Sequence, residues 1–333
     1  MKINFIAELA QGYEGKFHQA CDLIKSAKLA KADFAKIQIV YADELASKDF
    51  KDYKIFKSLE LNKYIWKKIF NYSKKLKIQL ITEIFGNKSL ETAAFMGSKM
   101  FKIHPTDINN FDLISKVIKL KPKKVFVGIG GANEKEIKNC LILLKDIDVI
   151  LLHGHQTLPT PNHDLNISRI SGILTRMKTF NKNLSIGIAD HVVPGDMDQI
   201  SIIAIAIGTG ISYVEKHLTI NRVLKLEDFQ SALNPDEFLK LKYECLNLIK
   251  IYGNNNFNLS KSEKIYRNWA RRVPITKTKI KKNTMLNLSN LVFKRSSYKT
   301  DIKDIYSIIG KKILRNVLKN KVLSKKDISW KGN

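Results

Sequence analysis

Residues 3–40 read INFIAELAQGYEGKFHQACDLIKSAKLAKADFAKIQIV, and their pattern decides the architecture. A short apolar run, 3–10, is followed by a longer amphipathic stretch, 16–31, and then by a second β-branched run, 34–40. Strand, helix and strand in that order make a right-handed βαβ unit with parallel strands. The same alternation continues at 78–84, 100–105, 124–130, 148–155, 184–190 and 212–219, with helical patterns such as 60–75, 133–145 and 235–251 between them. Eight strands over about 250 residues predict a closed (β/α)8 TIM barrel. A doubly wound open sheet competes, but it calls for Gly-x-Gly-x-x-Gly after its first strand, and Gly128-Ile129-Gly130-Gly131 is too short to be that motif.

The barrel domain is read as 1–253. Beyond Gly253 the run Asn254-Asn255-Asn256 opens a linker read as 254–272, and a small lysine-rich, β-rich domain is read as 273–333, with short strands at 273–279, 290–294 and 313–316. The 333 residues are 44% hydrophobic and 27% charged, as in an ordinary globular protein. No apolar run reaches the roughly 18 residues of a spanning helix, so no membrane partner is expected. Glu8 falls where a signal peptide needs its apolar stretch, which predicts a cytoplasmic protein. Cys21, Cys140 and Cys245 are odd in number and far apart, which fits reduced thiols. The formal charge of +27 raises nucleic acid as a partner, but the basic residues are mostly single lysines and no aromatic RNA-recognition signature accompanies them. No specific nucleic acid is expected; attraction of anionic substrates is.

Barrels carry their chemistry at the C-terminal ends of the strands. The polar residues there are Glu8, Lys36, Gln38, Thr82, Lys102, Asp107, His153, His155, Gln156, Asp190, His191, Glu215, Lys216 and His217. A charge inside an apolar strand costs several kcal/mol unless it is paired or serves a ligand. Alternation puts Lys36 and Gln38 on one face of their strand, and Lys102 sits likewise between Phe101 and Ile103. Two inward lysines suggest a phosphate and a carboxylate on one small molecule; the alternative is pairing with Glu8 and Glu215 across the barrel. His191 and His217 close adjacent strands and suit a divalent metal, against the alternative of satisfied core histidines, with His104, His153 and His155 competing for the role.

In order and spacing, Ala7-Glu8, Lys36-Ile37-Gln38, Lys102-Ile103 followed by Asp107, Leu151-Leu152-His153 with Pro159-Thr160-Pro161, Asp190-His191 and Glu215-Lys216-His217 resemble the sialic acid synthase (N-acetylneuraminate synthase) family. The likeness runs on through Thr219-Ile220-Asn221-Arg222, Asp228 and Leu233-Asn234-Pro235. Ser262-Glu263, Arg271-Arg272, Phe293-Lys294-Arg295 and Ile309-Gly310-Lys311 look like that family's C-terminal antifreeze-like domain.

The resemblance implies a metal-dependent condensation of phosphoenolpyruvate with an N-acetylmannosamine-type amino-sugar aldehyde, giving a nonulosonic acid and phosphate. It implies that His191 and His217 hold Mn²⁺ or Mg²⁺, and that Lys36, Gln38, Thr82 and Lys102 bind phosphoenolpyruvate. Glu8 would act on the attacking water, and Asp107, Gln156, Asp190, Asp228 and Arg295 would lie around the sugar and the metal. Arg295 resembles an arginine that reaches a partner's barrel, which implies a domain-swapped homodimer. Several positions depart from the family pattern. Gly12-Tyr13-Glu14-Gly15 replaces Asn-His-Asn-Gly, Ala189 and Pro105 replace serines, and Gln156 and Leu158 replace Asn and Tyr. An altered acceptor follows, with two alternatives: a 3-deoxy-sugar-phosphate synthase taking a phosphorylated aldehyde, for which Lys225 is the added cation, or a catalytically inactive barrel that binds a sugar or a protein partner.

Overall fold

The eight predicted strands are all present, and they close on themselves. In the computed structural model, which describes residues 2–195, 198–302 and 304–330, they are β1 (Asn4–Glu8), β2 (Phe34–Ile39), β3 (Gln79–Ile84), β4 (Met100–Ile103), β5 (Lys124–Gly128), β6 (Val149–His153), β7 (Leu184–Asp190) and β8 (Tyr213–His217). Each pairs in parallel with the next, and β8 returns to β1 with Ile6 opposite Glu215 and Glu8 opposite His217. The expectation of a (β/α)8 barrel is met.

Parallel strands covered by helices are apolar on their outer face, and here that face carries the larger core. Phe5, Ala7, Ala35, Ile37, Phe101, Val125, Leu151, Ile186 and Val214 pack against helices such as Phe17–Leu29, Lys63–Lys75 and Pro235–Tyr252. Burying one such side chain contributes about 1.5–3 kcal/mol. The helices begin where local chemistry satisfies their free amides. Asn62 accepts from the Tyr64 and Ile65 N–H groups, and Asn133 and Asn234 form reciprocal caps with Glu136 and Glu237.

Residues of opposite parity point inward. Toward the strand N-termini they form a second, smaller core of Ile6, Phe34, Ile81, Met100, Phe126, Ile150, Leu152, Ala189 and Tyr213. Phe34, Phe126 and Tyr213 meet with ring centroids 5.6–6.3 Å apart, so the barrel is plugged by apolar side chains below its charged end. Two residues further along five of the strands, the inward positions become Glu8, Lys36, Glu83, Lys102 and Glu215.

The chain divides into two compact units, Met1–Asn254 and Asn255–Asn333. The second has its own core of Ile280, Leu286, Leu291, Ile302, Ile308, Ile313, Val317, Leu323 and Ile328. Its sheet is the antiparallel pair β9 (Val273–Thr276) and β10 (Leu291–Lys294). Of the expected strand at 313–316, Ile313 alone forms a bridge, to Ile328. The stretch 254–272 is not extended throughout: Ser260 and Glu263 form a reciprocal cap that starts a helix at Lys261–Ala270. Among the described residues, no helix is long and apolar enough to cross a membrane.

Candidate active site

The strand ends assemble five buried ionisable groups into one network. The Lys36 ammonium contacts the Glu8 carboxylate, donates to Glu83 Oε2 at 2.9 Å and donates to Glu215 Oε1 at 3.1 Å. Lys102 lies 3.0 Å from the same Glu215 oxygen and 3.6 Å from Glu83 Oε1. All five side chains are at most 7% exposed. Glu8 is anchored by its own loop, accepting from the Ala10 N–H at 2.6 Å, and Gln38 reaches Glu83 Oε2 at 3.3 Å. Burial disfavours every one of these charges, and their mutual proximity decides the outcome. Desolvation pushes the Glu83 and Glu215 carboxyls up, but Lys102 and Lys36 outweigh it and hold both below the usual range. Burial likewise opposes charge on Lys102, yet Glu215 and Glu83 raise it above the ordinary lysine value. For Lys36, burial prevails and pulls it down against the attraction of Glu215 and Glu83.

The sequence reading missed Glu83 and placed Thr82 in the site instead. Thr82 does not join it: its hydroxyl meets Ser98 Oγ at 3.0 Å and donates to the Met100 carbonyl on the barrel's outer face. Parity is the reason, because Ile81 belongs to the inner core and Glu83 therefore points inward while Thr82 points out. The signal was available, since Glu83 is a charged residue in an apolar strand, like Lys36 and Lys102. Asp190 also faces outward, where it forms a fully buried pair with Lys216 at 3.1 Å and accepts from the Val192 N–H at 2.9 Å. It is a structural partner beneath the helices and not part of the sugar shell.

His191 and His217 do come together, with ring centroids 5.2 Å apart. Burial lowers the basicity of both, and each lies near Lys102, so both are neutral near pH 7. His191 Nδ1 is 2.6 Å from the His155 carbonyl, which can only accept. Nδ1 therefore carries the proton and Nε2 keeps its lone pair, the arrangement in which a backbone carbonyl orients a metal-binding imidazole. Asp228 lies beside the pair, with Oδ2 at 4.0 Å from His217 Nδ1, and burial raises its carboxyl to about 6. Two neutral imidazoles thus fit a divalent cation chemically. Among the described residues, no group of three or more His, Cys, Asp and Glu side chains is gathered as a metal site.

His153 and His104 have other partners. His153 points outward and donates from Nε2 to the Leu165 carbonyl at 2.9 Å. Burial lowers His104 to about 4, and its Nδ1 meets the Thr106 hydroxyl at 2.7 Å. Asp107 sits half-buried at the rim, accepting from Asn110 at 2.9 Å, with its carboxyl raised by burial. Gln156 is exposed and lies over Gly130, where a Cβ would come within 2.7 Å of its amide nitrogen and 2.3 Å of the Gly154 carbonyl. In the loop after β1, Tyr13 is buried edge-on against Trp66 at 5.2 Å. Arg295 lies in the C-terminal unit, exposed, with its guanidinium 4.9 Å from the Trp269 ring centre.

Fold and site together define a (β/α)8 barrel whose charged, histidine-bearing cluster occupies the strand ends where such barrels hold their ligands. More particularly, the chain belongs to the NeuB family, whose model matches residues 23–257. It is 26% identical to the N,N'-diacetyllegionaminic acid synthase of Campylobacter jejuni, over 97% of this chain and 99% of that protein. It is 27% identical to a pseudaminic acid synthase of the same species, over 95% and 94%. Among solved structures, the N-acetylneuraminic acid (sialic acid) synthetase of Leptospira borgpetersenii, in complex with citrate, matches with a TM-score of 0.73 at 26% identity, covering 80% of this chain and 92% of that one.

Proposed function

We propose that this chain condenses phosphoenolpyruvate with an open-chain N-acetylmannosamine-type amino sugar to give a nonulosonic acid and phosphate. The observation that carries the reading is the convergence of Lys36, Lys102 and Glu8 with the neutral His191–His217 pair in one buried cluster at the strand ends. The named relatives are synthases of legionaminic, pseudaminic and sialic acids. In the reaction, C3 of the enol forms a bond to the aldehyde carbon, water supplies the oxygen of the new 2-keto group, and the C2–O bond to phosphate breaks. The water's protons end on the new hydroxyl and on phosphate. Lys36 and Lys102 bind the donor's phosphate and carboxylate, Gln38 orients it, and Glu8, held by the Ala10 N–H, positions and deprotonates the water. Held by His191 and His217, Mn²⁺ or Mg²⁺ would polarise the sugar aldehyde as a Lewis acid. Asp107, Gln156 and Asp228 face the acceptor. The C-terminal unit is proposed as an antifreeze-like domain that presents Arg295 to a partner's barrel in a homodimer.

The test is phosphate release from phosphoenolpyruvate with added Mn²⁺ against a panel of 2-acetamido sugars and their phosphates, with mass spectrometry of the product. Release that depends on one sugar and yields an acid heavier by the pyruvate unit establishes the reaction and names the acceptor. Absence of release with every sugar, together with absence of Mn²⁺ binding, removes the reading.

A further inference from the structure

The two lysines that the phosphoenolpyruvate reading assigns to the donor substrate are already neutralised within the protein. Counted at their formal charges, three carboxylates and two ammonium groups leave the cluster with one negative charge, inside a chain whose formal charge is +27. An ammonium has three donors. Those of Lys36 are taken by Glu8, Glu83 and Glu215, so an incoming anion meets no free donor there. One carboxylate has to give way.

The three are not equally held. Glu8 is tied to its loop by the Ala10 N–H at 2.6 Å. Glu215 bridges both lysines through one oxygen, at 3.1 and 3.0 Å. Glu83 has one firm ion contact, to Lys36, a 3.3 Å contact from Gln38, and an Oε1 that is buried without a hydrogen-bond partner, 3.6 Å from Lys102. Glu215 also leaves one oxygen, Oε2, buried without a partner, but its Oε1 holds both lysines at short range, whereas Glu83 has a short contact to Lys36 alone while its carboxylate still spans the two lysines, as a small dianionic ligand would have to.

We propose that Glu83 is an internal counter-anion that sets donor-substrate affinity: a phosphate or carboxylate reaches Lys36 by displacing the Glu83 side chain. This rests on the assignment of Lys36 and Lys102 to phosphoenolpyruvate and adds to it a specificity-determining residue. Glu83 competes with any anion for Lys36, and because its carboxylate faces both lysines, a ligand that engages both at once displaces it more readily than one that reaches a single lysine. Like charges a few ångströms apart in a buried site repel one another, so neutralising Glu83 acts on affinity directly.

The experiment is calorimetric titration of the full chain with phosphoenolpyruvate and, separately, with inorganic phosphate, for the wild type, Glu83→Gln and Glu83→Asp. Glu83→Gln is expected to bind both anions about tenfold tighter or more, with Glu83→Asp, which keeps the charge, close to the wild type. Equal or weaker binding by Glu83→Gln overturns the proposal, as does a lack of anion binding in all three proteins. Tighter phosphate binding in Glu83→Gln without any preference for phosphoenolpyruvate over phosphate leaves Glu83 as the counter-anion and removes the phosphoenolpyruvate reading instead. A second measurement needs no variant: a crystal structure of the wild type with phosphate on Lys36 and Lys102 is expected to show the Glu83 carboxylate moved off Lys36, and its persistence at hydrogen-bond distance overturns the proposal.

Discussion

Asp228 couples the stability of this site to pH. It adopts a left-handed backbone conformation, φ 63°, beside His217, and its carboxyl is raised from 3.8 to about 6 by burial, with Glu227 and Glu83 adding to the effect and Lys36 opposing it. A raised carboxyl favours the protonated form in the folded state. Its stability contribution is therefore complete below about pH 4 and is lost as pH rises through about 6. Asp228→Asn removes the penalty on the ionised form and tolerates the left-handed backbone. The variant is expected to be more stable than the wild type by about 1–2 kcal/mol near pH 8, after allowance for the side chain's partial exposure, and equal to it near pH 4. Urea denaturation at both pH values checks this. For the histidine pair, His217→Ala should lower Mn²⁺ affinity by more than about tenfold, since even indirect partners of a metal ligand matter on that scale. Titration of Mn²⁺ alone, with circular dichroism as the control for folding, tests the ligand assignment apart from turnover.

At the scale of elements, the barrel's closure depends on close approach between β6 and β7 just beyond their paired residues. A Cβ on Gly154 would stand 2.2 Å from the Ala189 carbonyl and 3.0 Å from its side chain. A backbone oxygen cannot swing aside like the end of a flexible chain. Gly154→Ala should destabilise the barrel unit by about 1–3 kcal/mol or more, read as a lower urea midpoint. The barrel's elements were legible in the sequence because parallel strands covered by helices must be apolar, whereas the helix that Ser260 and Glu263 start lies in the stretch read as a linker. Which face of a strand points inward was less legible. In β2 the alternation of Lys36 and Gln38 against Ile37 and Ile39 declares itself, whereas in β3 both Thr82 and Glu83 are polar, and the neighbouring Ile81 and Ile84 lie on opposite faces. Asp190 misled for a similar reason, since an outward acid looks no different from an inward one until Lys216 is seen to pair with it.

At the scale of the whole molecule, two compact units with separate cores meet in sequence at a stretch that is exposed at every residue from Ile251 to Trp269. Exposed chain with few buried contacts opens to proteases at little cost. Limited proteolysis should cut first between about residues 253 and 260, and the fragment from the barrel side should keep a cooperative thermal transition, followed by mass spectrometry and calorimetry. By itself the sequence determined the alternation of strand and helix, the closure count of eight, the second unit, and the presence of lysines and histidines at strand ends, because periodicity and the cost of a buried charge are local properties. Only the tertiary structure decided which carboxylates meet those lysines, that Glu83 is among them and Thr82 and Asp190 are not, and that Tyr13 is buried against Trp66. Those outcomes depend on the register between neighbouring strands and on residues far apart in the chain, such as Lys36 and Glu215, arriving within a hydrogen bond of each other.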